Sequence, residues 1–410
     1  MENAGRSHFP PRPNRWNSGA DGKVRMIEGC RAPKVSGAFF MDTDKIMKLA
    51  LALAERSAGR VSPNPMVGAV IFKGSKIIAE GYHHYFGGPH AEINALRKAG
   101  KKAAGASMAV NLEPCAHTGK TPPCVESIVK AGIKEVFAGM RDPNPLVSGK
   151  GISYLKRRGI IVKSGILKNE CAFLNRAFVS THMRKRPWIV LKEGLSLDGR
   201  IASYTGNSKW ITNPKARLFA HKLRYKSDMV MAGAGTFRKD GPSLLPYLIK
   251  AKRHPLGYPA RCVVTKSGLL NTCGKLVDRK SQLFIAYMTG KSSAESENSK
   301  SGCIKIYSEN LDTLVQLFSK KGYNQILIEG GGSLAGSLFD AGLIDEVYFI
   351  YAPIVIGGKN AVAAVAGRGQ ALVKNAFAFT ENRIMRLDDN FVFHGIRSGG
   401  LFREKGCLQE

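Results

Sequence analysis

The chain has 410 residues, longer than most single domains, which predicts two domains, each able to bury its own core. Apolar residues make up 44%, no run approaches the ~18 apolar residues of a membrane span, and no charged-then-apolar leader opens the sequence. Neither a membrane span nor secretion is indicated, and a cytoplasmic location follows by default. Lys and Arg outnumber Asp and Glu 62 to 31, a formal charge of +31 that suits nucleic acid, an anionic membrane or a phosphorylated substrate. The basic residues are spread along the chain, and stretches such as 97–102, 156–158 and 184–186 read equally well as solvated faces. The eight cysteines are too sparse for a disulfide-stapled fold, and only Cys115 and Cys124 sit in a suggestive setting.

Residues 1–40 carry Gly, Pro, Asn, Arg and Ser without a sustained apolar period and are expected to be mostly disordered. A transit peptide is the alternative, against which Glu2, Asp21 and Glu28 count. Order is expected to begin where Asp42 or Thr43 can cap a helix whose apolar face is Ile46, Met47, Leu49, Ala50 and Leu53. Extended runs at 67–73, 107–113, 134–139 and 160–163 then alternate with helices near 90–102, 122–131 and 149–158. This predicts a layered α/β domain over 41–183, closed by a helix near 168–182. The basic stretch 183–187 is the candidate linker.

A second α/β pattern spans 187–402, with strands at 188–193, 228–233, 261–265, 282–287, 324–329 and 346–352 and helices near 213–225, 310–321 and 332–341. The polar stretch 289–302 reads as a surface loop. No internal repeat is evident, so the two halves are expected to differ in fold.

In the first half, His90, Cys115 and Cys124 supply three ligands of the kind zinc prefers, leaving a fourth position open to water, as a catalytic site requires. Glu92 follows the histidine by two residues. In a helix interior such side chains diverge by about 200°, so they can converge only at a first turn. "GGPH" (87–90) and "KTPPC" (120–124) each end a loop at a helix start, where the dipole's positive end favours a thiolate. A zinc ion there would lower the pKa of water to about 7, with Glu92 shuttling its proton to a ring nitrogen and to departing ammonia. Hydrolytic deamination fits. The H-x-E and P-C elements of zinc deaminases are present, but eight residues rather than two separate the cysteines. That insert brings His117 and Lys120 to the rim. The alternative is a closed structural site with His117, His83 or His84 as fourth ligand, or two unrelated buried thiols; neither gives Glu92 a role.

In the second half, "MAGAGTF" (231–237) and "ILIEGGGSLAGSLF" (326–339) place glycines after apolar strands. The latter reads strand, glycines, helix, which would present backbone N–H groups to a phosphate; tight turns or close strand packing explain the glycines equally well. Lys192, Asp198, Lys209 and Trp210 set charge and an aromatic ring among apolar residues near strand ends, the alternative being a surface strand with a capped turn.

Over about residues 43–400 the sequence resembles the bifunctional deaminase–reductases of riboflavin biosynthesis, on the strength of "SPNPMVGAVI" (62–71), "HAE", "EPCAHTGKTPPC" and "DPNPLVSGKG" (142–151). The resemblance implies a three-layer αβα zinc deaminase domain followed by a dihydrofolate-reductase-like domain that uses NADPH. It implies that Asn64, His83, His117, Lys120 and Asn144 line a pyrimidine and ribose-phosphate pocket. Read singly, Asn64 and Asn144 precede proline and are turn formers, and His83 is a packed histidine. In the reductase half, with "LKEGLSLDGRIA" (191–202), "SKWIT" (208–212) and "DGPSLL" (240–245), it implies that Gly194, Trp210, Thr236, Asp240, Gly331 and Gly332 hold the cofactor. Ser208, Arg224, Leu244 and Glu329 would hold the substrate, with Lys192 nearby. Two positions depart from the family pattern: Tyr247 stands where it has arginine and Thr265 where it has aspartate. Loss of a bidentate phosphate partner predicts weaker substrate binding, for which Lys250 or Lys252 could compensate.

The expected function is therefore deamination of 2,5-diamino-6-ribosylamino-4(3H)-pyrimidinone 5′-phosphate followed by reduction of its ribosyl group, with small phosphorylated pyrimidines as partners and a homo-oligomer as the expected assembly. The alternatives are a deaminase with a decayed reductase half and, in another class, a nucleic-acid-editing protein. The latter needs aromatics interleaved with basic residues, and an aromatic content of 8% shows no such pattern. A zinc-stabilised scaffold is a third.

Overall fold

The computed structural model describes residues 42–117, 122–145, 147–249, 257–266, 281–290, 294–298 and 303–398. The expectations for residues 1–40 and for Lys120, Lys250 and Lys252 lie outside these. In the N-terminal half the order is α1 (Thr43–Glu55), β1 (Gly68–Lys73), β2 (Lys76–Tyr82), α2 (Ala91–Ala99), β3 (Ser107–Leu112), α3 (Cys124–Lys130), β4 (Glu135–Met140), α4 (Lys150–Arg157), β5 (Ile161–Ser164), α5 (Lys168–Leu174) and α6 (Arg176–Arg184). Asp42 caps α1 by accepting the Asp44 N–H, and of the expected apolar face Ile46, Met47, Ala50 and Leu53 are buried and Leu49 is half-buried. The sheet order is β2-β1-β3-β4-β5, with β1 antiparallel to both β2 and β3 and the last three strands parallel. One face packs on α1 and α5 through Val70, Ala109 and Phe137 with Met47, Leu53 and Cys171. The other packs on α2, α3 and α4 through Ile71, Met108 and Val110 with Ala95, Ile128 and Leu155. Three layers result.

β2 was not among the expected strands. Its Lys76 and Glu80 are charged, it lies at the sheet edge, and only Ala79 and Gly81 are buried, so its apolar signal is weak. The single helix expected near 168–182 is two, broken at Asn175, whose side chain instead accepts the Met66 N–H at 2.8 Å and donates to Met66 O at 3.0 Å.

The C-terminal half follows as β6 (Trp188–Leu195), β7 (Arg200–Ala202), α7 (Pro214–Lys226), β8 (Met229–Gly233), α8 (Ala234–Asp240), β9 (Ala260–Thr265), β10 (Leu283–Met288), β11 (Ala294–Asn298), β12 (Cys303–Ser308), α9 (Leu311–Lys320), β13 (Gln325–Glu329), α10 (Gly332–Asp340), β14 (Glu346–Tyr351), β15 (Val362–Ala363), β16 (Phe379–Leu387) and β17 (Asn390–Arg397). Ten strands form one sheet in the order β11-β12-β10-β9-β8-β13-β6-β14-β17-β16. Those from β12 to β14 are parallel, and β11, β17 and β16 close the edges antiparallel. The expected loop 289–302 thus contains an edge strand, β11, paired in register with β12. Its polar composition suits an edge and conceals the strand from hydrophobic periodicity.

The basic stretch 183–187 is no loose linker. Arg184 and Arg186 both grip Asp345, at 2.9 Å and 2.7–2.8 Å, and Asp345 also accepts the Ile189 N–H. Beside it Glu346, with no exposed side-chain surface, accepts from Arg176 at 2.8 and 3.1 Å, Trp188 Nε1 at 2.7 Å, and Tyr348 Oη and His394 Nε2 at 2.8 Å each. Burial opposes ionisation of Glu346, but the Arg176 guanidinium and the His394 hydrogen bond outweigh it and hold the carboxyl well below the usual range. Apolar packing also crosses the junction, since Trp188, Val190, Val230 and Leu327 belong to the cluster of Met47 and Phe137.

Truncating Arg176 strands a buried carboxylate, so Arg176→Ala is expected to cost about 3–5 kcal/mol, read as a lower urea midpoint. Because the Glu346 pKa is depressed, this contribution is present above the ordinary carboxylate range and is lost as pH falls, so the gap between wild type and variant should narrow in acid.

Candidate functional sites

At the C-terminal end of β3 the chain runs through Glu113 and Pro114 to Cys115, and α2 and α3 point their N-termini at the same place. His90 is the N-cap of α2 in extended conformation, Glu92 lies in its first turn, and Cys124 opens α3 behind Pro123. The ligand atoms of His90, Cys115 and Cys124 lie within 4.8 Å of one another. His90 Nδ1 is 3.2 Å from Cys124 Sγ and 3.5 Å from Cys115 Sγ, and the Cys124 N–H donates to Cys115 Sγ at 3.4 Å. Among the described residues no fourth His, Cys, Asp or Glu joins the group. His117 is exposed, and His83 is occupied elsewhere.

The electrostatics favour a cation. The Cys115 thiol is pushed down to about 4 because the Cys124 thiol, His90 and the Cys124 N–H all donate to it. The retained proton sits on Cys124, whose thiol is pushed up by Cys115, burial and Glu92. His90 rises to about 9 through its bond to Cys115 and the nearby Glu92 charge, against burial. Burial also pushes the Glu92 carboxyl up; it is 3% exposed, and its Oε2 has no hydrogen-bond partner among the described residues. A soft, anionic N/S donor set beside an orphaned carboxyl oxygen fits a zinc ion with an open coordination position.

Around this centre, His83 Nδ1 is bonded to Pro89 O at 3.0 Å, leaving Nε2 to accept from Asn64 Nδ2 at 3.3 Å, and the His83 and His90 rings lie edge to face at 5.5 Å. Asn64 and His83 are thereby brought to the metal group. Asn144 lies in the half-buried turn after β4 and donates its N–H to Asp142 at 2.8 Å.

Glu113 was missed by the sequence reading. Its buried carboxylate accepts four backbone N–H groups, from Asp142 and Gly149 on Oε2 and from Gly151 and Ile152 on Oε1, at 2.9–3.2 Å. It ties the segment ending in Cys115 to the Asn144 loop and caps α4. A Cβ on Gly151 would lie 2.0 Å from Pro114 O, so the close approach demands glycine there. The sequence signal was present, a glutamate two residues before Cys115 and glycines at 149 and 151, but nothing local ties them together.

In the C-terminal half, β8, β13 and β6 end side by side. Buried Glu329, at the end of β13, takes both Arg224 Nε and Nη2 at 2.8 and 2.7 Å and Lys192 Nζ at 3.4 Å. Burial alone would raise its pKa, but Arg224 and Lys192 hold it at about 2. Gly330 and Gly331 follow with φ of +69° and +92°, values that suit glycine, and Thr236 lies against both. Gly332 has another cause: a Cβ there would meet Ala363 O at 2.1 Å, so close packing fixes that glycine. Gly194 faces Thr212, and nearby Trp210 is 69% exposed with the Arg217 guanidinium 4.4 Å from its ring centre. Leu244 is buried with φ +57°, and Ser208 and Asp240 are half-buried.

Asp198 resolves as structural, bonded to Ser196 Oγ, Ile356 N and Gly357 N. Tyr247, 64% exposed, packs against His221, and Thr265 is buried on β9. A cavity of about 1000 Å³ between the two halves touches only Asn64 of the expected site residues, so volume does not mark the chemistry.

Residues 41–140 match the cytidine and deoxycytidylate deaminase zinc-binding region, and residues 187–392 match the RibD C-terminal domain. The chain is 39% identical over 335 residues to the riboflavin biosynthesis protein RibD of Bacillus amyloliquefaciens, covering 80% of this chain and 89% of that protein. It is 37% identical to the RibD of Synechocystis, covering 86% and 96%. Among solved structures, Acinetobacter baumannii RibD, form 1, superposes with a TM-score of 0.80 at 34% identity over 87% of this chain and 99% of that one. The Thermotoga maritima diaminohydroxyphosphoribosylaminopyrimidine deaminase/5-amino-6-(5-phosphoribosylamino)uracil reductase gives 0.76 at 34%, over 87% and 98%.

If Glu113 aligns the metal-bearing segment, Glu113→Ala should weaken zinc retention roughly tenfold against a chelator, measured by metal content after dialysis.

Proposed function

The chain belongs to the RibD family, and from that premise we propose how its two sites divide the work of a bifunctional riboflavin-biosynthesis enzyme that uses zinc and NADPH. His90, Cys115 and Cys124 hold the zinc, which when bound supplies the Lewis acidity that activates water. Glu92 takes a proton from the attacking water and passes it through a ring nitrogen to the leaving amine, so that a carbon–oxygen bond forms, a carbon–nitrogen bond breaks and ammonia departs. The orphaned Glu92 Oε2 carries this assignment. Asn64 and His83, bonded to each other beside His90, orient the pyrimidine, and His117 and Asn144, together with Lys120, which lies outside the described residues, are the groups assigned to its ribose phosphate.

The product, 5-amino-6-(5-phosphoribosylamino)uracil, is then reduced at the sugar carbon. NADPH supplies the hydride when bound. The Gly331–Gly332 turn, Thr236, Gly194, Trp210 and Asp240 hold the dinucleotide across the ends of the parallel strands, with the N-terminus of α10 facing phosphate. Arg224, Glu329, Ser208 and Leu244 position the ribosyl group, and Lys192, held by Glu329, donates a proton to the ring oxygen as its bond to the sugar carbon that accepts the hydride breaks. Tyr247 and Thr265 weaken the substrate's phosphate contact without removing this group. A deaminase with a decayed reductase half is not favoured, since the Lys192–Glu329–Arg224 cluster is intact.

Glu92→Gln is expected to lower deamination by roughly 10²–10⁴ while zinc stays bound and reduction of supplied intermediate continues. Lys192→Met should do the reverse. Mass spectrometry of the pyrimidine products, with NADPH consumption followed at 340 nm, separates the two. Deamination by Glu92→Gln at the wild-type rate would overturn the assignment.

A further inference from the structure

Glu193 is a buried carboxyl that the proposed chemistry leaves unused. It follows Lys192 on β6 and is 3% exposed. Alternation along the strand sends its side chain to the face of Ile189 and Leu191, which pack with Leu334, Ala335 and Leu338 of α10. The Gly330 N–H favours the ionised form of its carboxyl, while Oε1 is buried without a partner among the described residues. This acid therefore lies beneath the glycine turn that leads into α10.

Burial pushes Glu193 up to about 8; Lys192 opposes the rise and Glu329 adds to it. Among the described residues Lys192 and Glu329 are the charges that act on it; its register partner on β14 is Phe349, and the turn and first residues of α10 are Gly330, Gly331, Gly332, Ser333 and Leu334. At neutral pH the group is an uncharged acid. Ionised, it would draw the Gly330 N–H to itself and set a second buried negative charge near Glu329, under the backbone donors that must face phosphate.

We propose that Glu193 is a positioning residue of the reductase site: its neutral form keeps the Gly330–Gly332 turn receptive to an anionic dinucleotide, and its ionisation drives the dinucleotide off. The inference rests on the reading that NADPH binds at this turn.

The test is NADPH affinity of the full-length, zinc-loaded protein, measured calorimetrically from pH 7 to pH 9.5, a window above the ribose phosphate's own titration near pH ~6. The neutral fraction of Glu193 falls from about nine-tenths at pH 7 to about one-tenth at pH 9, so wild-type affinity should weaken roughly tenfold, and Glu193→Gln should bind with nearly constant affinity. Unfolding of the cofactor-free proteins gives a second readout. A raised pKa for this acid in the folded state means that wild type loses stability relative to Glu193→Gln as pH climbs from the ordinary carboxylate range to about 8, with no further loss above. A flat wild-type affinity, or the same decline in Glu193→Gln, overturns the proposal. Should that variant not fold, Glu193→Met and the wild-type pH series decide it on the same terms. Absence of NADPH binding at every pH would instead overturn the placement of the cofactor, and this inference with it.

Discussion

The N-terminal half depends on bringing one imidazole and two thiols within 4.8 Å of each other at a half-buried point. Such a cluster concentrates negative charge, and its proton distribution is awkward without a cation: one thiol far below its normal range, the other above it. A dication resolves that conflict, and two helix N-termini lend it positive field on the same side. The surrounding architecture serves this convergence. β3 delivers Cys115, α2 and α3 deliver His90 and Cys124, and Glu113 locks the end of β3 to the loop that carries Asn144. Glu92 is left as the group whose buried oxygen the protein does not satisfy.

The C-terminal half handles charge in another way. Glu329 is compensated twice, by Arg224 and Lys192, and so stays ionised in a buried setting, whereas Glu193, on the adjacent strand β6, has no cationic partner of its own and stays neutral. Two carboxyls in one site thus hold opposite protonation states because their partners differ. At the junction of the halves, Glu346 pairs with Arg176, and Asp345 is shared by Arg184 and Arg186.

Much of this was legible in the sequence where a residue's role is local. The His90–Glu92 spacing forced both onto a first turn, the two prolines before Cys124 marked a helix start, and the parallel strands, buried on both faces, declared themselves as apolar runs. Edge strands β2 and β11 were hidden because one face or both carry polar residues. The Asn175 break needed knowledge of Met66, 109 residues away, and the latching of 183–187 needed Asp345. Glu113 and Glu193 escaped for the same reason: each matters through backbone N–H groups supplied by distant segments, and pattern reading sees side chains along one chain, not the amides that fold against them.

Deamination at this site requires an incomplete protein coordination sphere around the metal. X-ray absorption at the zinc edge, combined with a zinc-loaded crystal structure, measures it directly. Two sulfurs at about 2.3 Å and one nitrogen and one solvent oxygen at about 2.0–2.1 Å are predicted, with the Glu92 carboxyl in hydrogen-bond reach of that oxygen. Four protein donors around the ion, or Glu92 turned away from the solvent position, would contradict it.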